Sequence, residues 1–307
     1  AFHLSRKGQE VSLWAYDREQ IIEINATRIN ARYLPEVIFP PNIHCSDDYQ
    51  TVLSGVQDIL IVVPSAVFHA NLVKLKPFLQ SNQRLLWASK GLDTKKHQLL
   101  NEVVKEILGD KEMAVLSGPS FAKEVAMGLP TAINIASENY NFAHDLLLRF
   151  QTKRFRVEIT SDIIGVELGG AMKNVLAIAV GITEGLGFGA NAKAAVITYG
   201  LSEMIELGLV LGAKQETFLG LSGLGDLVLT CTDNQSRNRR LGLALGRGQT
   251  LEETKKLIGT TEGYDTAKNI FYLLEKYAIK APFCEGVYRI LYEKKSPPTL
   301  FKTLFNE

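Results

Sequence analysis

The 307-residue chain lacks the marks of several protein classes. Its three cysteines, Cys45, Cys231 and Cys284, are far apart, odd in number and in no metal-ligand spacing. That excludes a disulfide framework and a metal cage, and it suits buried thiols in a reducing cytoplasm. Neither sign of charge dominates: 34 Lys and Arg against 33 Asp and Glu give a net charge of +1. Nucleic acid, anionic membrane and polyanionic partners are therefore not indicated, and any anion recognition must be local. No uninterrupted apolar stretch approaches the ~20 residues needed to cross a bilayer, and no signal peptide opens the chain. A cytoplasmic protein without a membrane span is expected. Internal repeats and low-complexity tracts are absent. Histidine is scarce: His3, His44, His69, His97 and His144 all lie in the first half, and none joins a motif. An initiator methionine is also missing. Residues 1–8 read as the back end of an amphipathic helix closed by Gly8, so further sequence is expected upstream.

What is present is ordinary globular sequence, 46% hydrophobic and 22% charged, long enough for two domains with a core each. A β-rich run, Val11 to Asp17, passes into helical sequence from Arg18 to Ala31. Asp58 to Val63 is a continuous apolar run of the kind buried on both faces of a parallel sheet, stopped by Pro64-Ser65, with a helix expected through Leu79. Leu85 to Ala88 is the next strand, ending in Ser89-Lys90-Gly91, and Thr94 to Leu108 its crossover helix. Ala114 to Ser117, Thr131 to Ala136 and Phe155 to Glu158 complete the series. Strands alternating with helices predict an α/β, Rossmann-like doubly wound parallel sheet over residues 1–160. From Ser161 strand-like runs disappear, and long helices such as Gly165 to Gly185 and Asn191 to Leu211 predict an all-α domain over 161–307.

Ligands of a doubly wound sheet bind outside the carboxyl ends of its strands. Asp17 stands there, as a ribose-binding carboxylate or as a helix cap. Lys90 and the Gly118-Pro119-Ser120 turn follow their strands in the same way, facing the crevice or solvent. In Glu167 to Val175, Gly169 and Gly170 lie four and three residues before Lys173, whose side chain leans back over that turn. Two mid-helix glycines cost on the order of 1 kcal/mol each relative to alanine, which calls for close approach of a ligand or another helix. Lys173 beside the Asn174 amide is a polar spot in an apolar helix. Gly223-Leu224-Gly225-Asp226 puts a carboxylate at a glycine-hinged helix start, as a functional group or an N-cap. Ser236 is a natural N-cap, so the positive helix end, Arg237 and Asn238 converge either on an anion such as phosphate or on solvent.

From Ala1 to beyond Tyr292 the chain resembles the bacterial NAD(P)-dependent glycerol-3-phosphate dehydrogenases. Six ordered stretches carry the resemblance: Ser89 to Leu92, Ser117 to Ala122, Leu168 to Val175, Gly187 to Asn191, Gly223 to Leu227 and Thr230 to Arg240. The resemblance implies that Lys173 is the catalytic acid or base, with Lys90 and Asp226 beside it. It implies substrate contacts from Lys90, Gly118, Ser120, Asn174, Asp226, Thr230, Ser236, Arg237 and Asn238. Cofactor contacts would come from Tyr16, Asp17, Tyr33, Pro64, Lys90, Ala122, Arg237, Thr260 and Glu262. The implied reaction passes a hydride between NAD or NADP and dihydroxyacetone phosphate, supplying glycerol 3-phosphate for phospholipid synthesis, without a metal. The family's first strand and glycine loop would precede Ala1, and Tyr16-Asp17-Arg18 leaves NAD against NADP open. The alternatives are a β-hydroxyacid dehydrogenase acting on a carboxylate and a dinucleotide sensor without turnover. The glycine- and alanine-rich helices from Gly165 to Leu211 suggest a homodimer.

Overall fold

The structure is a computed structural model that describes residues 1–259 and 261–301. Thr260, expected near the cofactor, lies outside the described residues. In chain order the first half runs α1 (Phe2–Ser5), β1 (Val11–Trp14), α2 (Arg18–Thr27), β2 (Ile29–Asn30), β3 (Leu34–Ile38), β4 (Ile43–Ser46) and α3 (Tyr49–Leu53). It continues with β5 (Asp58–Ile61), α4 (Ser65–Leu75), β6 (Arg84–Trp87), α5 (Leu100–Leu108), β7 (Met113–Ser117), α6 (Ala122–Met127), β8 (Thr131–Ala136), α7 (Tyr140–Phe150) and β9 (Phe155–Thr160). The second half is helical: α8 (Ile163–Gly185), α9 (Ala190–Val210), α10 (Gln215–Leu219), α11 (Asp226–Thr232), α12 (Arg237–Gly246), α13 (Leu251–Ile258), α14 (Glu262–Tyr277) and α15 (Pro282–Tyr292). A π-helical turn, Leu221–Gly225, leads directly into α11.

Five strands form the main sheet in the order β5-β6-β7-β8-β9, while β1 and β4 pair in parallel as a separate two-stranded sheet. Side chains alternate between the two faces, as the period of two requires. Leu85, Trp87 and Val115 pack with Phe68 and Leu72 of α4 and Val103 of α5 on one face. Leu86, Ala114 and Leu116 pack with Phe142 and Leu146 of α7 on the other. Helices on both faces are the doubly wound arrangement, and they leave the carboxyl ends of β5, β6 and β7 open on one edge.

The sheet departs from the expected all-parallel order at one place: β8 runs antiparallel to β7. The connection carries only the six-residue α6, and the chain returns from the open edge instead of crossing over. Helix α2 stops at Thr27 and not at Ala31. Arg28 turns left-handed with φ 59°, its N–H on the Ile24 carbonyl, and its guanidinium is held by the Pro40 and Ile43 carbonyls. The short strands β2, β3 and β4, which the sequence did not suggest, follow from that turn. Helix α5 begins at Leu100 and not at Thr94. Asp93 accepts the N–H groups of Lys95 and Lys96 at 3.1 and 2.8 Å, and His97 takes φ 55°, so this segment is a turn.

Helix α8 is the axis of the second half. It is 23 residues long with a mean hydropathy of 1.6, so by length and composition it is able to cross a membrane, although Glu167, Lys173 and Asn174 interrupt its apolar run. In the fold 94% of that apolar window is buried by the protein itself. Helix α12 lies against α8 at backbone contact. A Cβ on Gly242 would stand 2.0 Å from the Ile178 carbonyl oxygen, and one on Gly181 2.2 Å from that of Arg239. Glycine at both positions is what permits this approach.

Candidate active site

Two lysines from opposite halves of the molecule meet on one carboxylate. Lys90 leaves the end of β6, where Ser89 Oγ donates to the Val63 carbonyl at 2.5 Å and ties the turns after β5 and β6 together. The Lys90 stem passes over Gly170 of α8, where a Cβ would lie 3.5 Å from its Cγ and 2.7 Å from Ser117 Oγ. Its Nζ donates to the Gly118 carbonyl at 3.0 Å and to Asp226 Oδ2 at 2.5 Å. Lys173, on the same face of α8, donates to Asp226 Oδ1 at 2.5 Å. Asp226 gives one oxygen to each ammonium and is 1% exposed.

The two mid-helix glycines thus have different reasons. Gly170 leaves room for the Ser117 hydroxyl, with the Lys90 stem at ordinary contact distance, whereas a Cβ on Gly169 would strike the Ser222 carbonyl oxygen at 2.5 Å, which is close helix packing. Asp226 is not an N-cap. The π-helical turn runs straight into α11, Gly225 is already helical, and among the described residues no side chain caps the junction.

Burial pushes the Lys173 ammonium down to about 8; the neighbouring Lys90 lowers it further and Asp226 partly restores it. Burial likewise pushes Cys231 up to about 12, so this thiol is inert at neutral pH, as expected for a core cysteine. Glu262, the first residue of α14, is held above the ordinary carboxylate range by burial, against the pull of Lys90, Lys173 and Arg237. That electrostatic reach places it beside the lysine cluster.

Around this centre the remaining candidates fall into two groups. Gly118 has φ +134° and touches the backbone of β8, a place for glycine only, and its carbonyl accepts from both Lys90 and Ser120 Oγ. Thr230 Oγ1 donates to the Asp226 carbonyl at 2.6 Å inside α11. Ser236 caps α12 by accepting the Arg239 N–H at 3.1 Å, and Arg237 follows it at the exposed helix start. Asn238 is turned inward. Its Nδ2 donates to Asn174 Oδ1 at 2.9 Å and its Oδ1 accepts the Gly263 N–H at 3.0 Å, so it joins α8, α12 and α14. Among the described residues the buried Asn174 Nδ2 has no hydrogen-bond partner, which leaves it a donor for an acceptor beside Lys173.

The second group has local contacts only. Asp17 caps α2 through Oδ1 on the Gln20 N–H at 3.1 Å and makes no further hydrogen bond among the described residues. Tyr16 and Tyr33 are 82% and 62% exposed. Pro64 and Ala122 stand exposed at the starts of α4 and α6. These positions fit a dinucleotide: a carboxylate oxygen beyond the cap suits ribose hydroxyls, and Pro64 and Ala122 are exposed. Sequence reasoning gave no role to Arg239, a buried guanidinium inside the basic run that closes the last motif. The other two arginines of the run, Arg237 and Arg240, are exposed, and nothing in the pattern marks the one that points inward.

The chain matches the family model described as NAD-dependent glycerol-3-phosphate dehydrogenase N-terminus over residues 1–143 and the corresponding C-terminus over residues 162–302. It is 49% identical over 299 residues to glycerol-3-phosphate dehydrogenase [NAD(P)+] of Tolumonas auensis, covering 96% of this chain and 90% of that one. It is 50% identical over 299 residues to the enzyme of the same name from Sodalis glossinidius, covering 96% and 88%. The crystal structure of glycerol-3-phosphate dehydrogenase from Coxiella burnetii superposes with a TM-score of 0.96 at 49% identity, covering 100% of this chain and 94% of that one. With a lysine pair on one buried carboxylate at the meeting of a doubly wound sheet and a helical domain, the chain belongs to the NAD-dependent glycerol-3-phosphate dehydrogenase family.

Proposed function

We propose that the protein interconverts dihydroxyacetone phosphate and glycerol 3-phosphate, with Lys173 as the proton carrier, and supplies glycerol 3-phosphate for phospholipid synthesis. The observation that carries this reading is the Lys90–Asp226–Lys173 arrangement, with Lys173 depressed to about 8. When bound, the nicotinamide cofactor supplies the hydride in reduction and accepts it in oxidation. In reduction, the Lys173 ammonium gives its proton to the oxygen of the former carbonyl and becomes a neutral amine. In oxidation that amine takes the hydroxyl proton back. A lysine near 8 serves both directions at neutral pH, whereas an ordinary one near ~10.4 releases its proton less readily. Lys90 keeps positive charge beside the developing alkoxide, and Asp226 holds both ammonium groups in place. The capped, positive start of α12, with Arg237, receives the phosphate.

Within this reading residues 1–160 bind the dinucleotide and residues 161–307 hold the substrate. Asp17, Tyr16, Tyr33, Pro64, Ala122 and Glu262 line the cofactor, and Ser120, Asn174, Thr230 and Asn238 the substrate side. A cytoplasmic location accords with three free cysteines. A homodimer accords with Tyr199, Leu209 and Val210 of α9, each about half exposed. The test is nicotinamide absorbance of the full chain with NADH and NADPH in parallel as dihydroxyacetone phosphate is added. Substrate-dependent oxidation is expected, and the ratio of rates gives the cofactor preference. No oxidation of either cofactor by folded protein overturns the reading and favours a carboxylate substrate or a sensor.

A further inference from the structure

The turn between α11 and α12, residues 233–236, presents the start of α12 to the site, yet it lies outside both helices. Its conformation is held partly from within: Asp233 Oδ1 accepts the Gln235 N–H at 2.7 Å and the Asp233 carbonyl accepts the Ser236 N–H at 3.2 Å. From outside, Gln235 Nε2 donates to Glu124 Oε1 at 2.9 Å, and the link to the helical core comes from Arg239, whose side chain is 8% exposed. One arm of the guanidinium, Nη1, reaches back to Asn234 Oδ1 at 2.5 Å; the other, Nη2, reaches Glu184 Oε2 of α8 at 2.6 Å. Glu184 also accepts Lys193 of α9 at 3.3 Å. The backbone N–H of the same Arg239 is the one capped by Ser236.

Glu184 and Lys173 stand on the same rigid helix, eleven residues apart, roughly 16 Å along its axis. Through the Arg239 fork the turn is referenced to the helix that carries the proton donor. The glycine contact of α8 with α12 fixes the helix bodies, but not the turn in front of Ser236. Arg239 itself is neutralised by Glu184, so its charge adds little to the field at an anion; what it adds is placement.

We propose that Arg239 is a positioning residue that, with Glu184 and Asn234, sets the distance between the phosphate-binding end and Lys173 and so sets affinity for the phosphate of the substrate. The inference rests on the reading of the α12 start as the phosphate site. Asn234→Ala removes only the exposed end of the fork, Glu184→Gln weakens the anchor, and Arg239→Lys keeps the charge but loses the two-armed geometry. For each variant, KM for dihydroxyacetone phosphate, kcat, the competitive inhibition constant of inorganic phosphate and NADH affinity by fluorescence are measured. In Asn234→Ala and Arg239→Lys, KM and the phosphate constant are expected to rise together by about tenfold, with kcat within about threefold and NADH affinity unchanged. Unchanged KM and phosphate constant in Asn234→Ala overturn the proposal. So does a joint decline of kcat, NADH affinity and melting temperature, which is the mark of a merely structural residue. If Arg239→Lys fails to fold, the other two variants carry the test. Arg237→Ala separates the underlying reading: if it leaves both constants at the wild-type values, the α12 start is not the phosphate site and the positioning role falls with it.

Discussion

Asp226→Asn removes one negative charge from between two ammonium groups while keeping the shape of the side chain. In the wild type Asp226 holds the Lys173 proton on, against burial and against Lys90, and the balance lies at about 8. Breaking a buried ion pair leaves an uncompensated charge at a cost of about 3–5 kcal/mol. At 1.36 kcal/mol per pH unit, that is a fall of roughly two to three and a half units if the lysine responds by losing its proton. The midpoint then moves from about 8 to about 6 or below. At pH 7 roughly nine-tenths of the wild-type lysine is protonated, and in the variant one-tenth at most. Adding the lost constraint on the lysine, reduction at pH 7 is expected to fall by about 10²-fold. The assay is kcat/KM for dihydroxyacetone phosphate reduction from pH 5 to 9 for wild type, Asp226→Asn and Asp226→Glu. The wild type is expected to lose activity above pH 8, the asparagine variant above about pH 6 with partial recovery in acid, and the glutamate variant to keep the limb near 8. An alkaline limb that stays near 8 in Asp226→Asn, or a uniform loss at every pH, refutes the electrostatic argument.

Lys173→Met is expected to lower turnover by about 10²-fold or more while NADH binding, followed by fluorescence, stays nearly intact; near-normal turnover removes the lysine from the mechanism. Gly242→Ala would put a methyl 2.0 Å from the Ile178 carbonyl oxygen, and a loss of about 2–3 kcal/mol is expected by urea unfolding, with a melting temperature unchanged from wild type as the contrary result. Glu167 is buried, accepts from Trp87 Nε1 at 2.9 Å and the Asn101 N–H at 3.2 Å, and is pushed up to about 8 by burial. Its folded value lies above its unfolded value, so the folded state holds the extra proton between roughly pH 4.5 and 8, and this group's stabilisation is lost as pH rises through that window. Glu167→Gln is expected to flatten the fall in melting temperature from pH 5 to 8; a slope equal to that of the wild type contradicts the assignment.

The pieces of the site were legible because each leaves a local signature. Lys173 follows two glycines on a helix, Asp226 follows a glycine hinge, and Ser236 precedes a basic helix start. Their assembly was not legible, because Asp226 lies 136 residues from Lys90 and 53 from Lys173, and no local pattern encodes which carboxylate two distant lysines will share. The N-cap alternative for Asp226 failed for a related reason: a π-helical turn is not announced by sequence, and it made the junction continuous. Asn238 reads as an anion ligand from its place in the first turn of α12; that its amide also joins Asn174 and Gly263 was not legible, since those contacts are made only when α8 and α14 pack on it. The main strands were readable from apolar runs. The hairpin β2–β3 and strand β4 were not, since short strands with mixed burial carry little periodicity.

Helix α8 shows why the chemistry and the core cannot be separated in this fold. A helix apolar enough to span a membrane is used here as the centre of a helical domain, and its burial is the largest cause of the lowered Lys173 proton affinity. Were α8 more polar, Lys173 would be better solvated and closer to an ordinary lysine, a poorer donor at neutral pH. The same apolar surround makes the unpaired ammonium costly, so Asp226 must be delivered to it, and delivery needs the close approach of the turn before α11 over Gly169. Gly170 makes room for the Ser117 hydroxyl at the end of β7, beside which the Lys90 stem reaches Asp226. A larger residue at Gly169 or Gly170 would therefore disturb the proton affinity of Lys173 without touching the lysine itself, acting through the position of the charges that surround it.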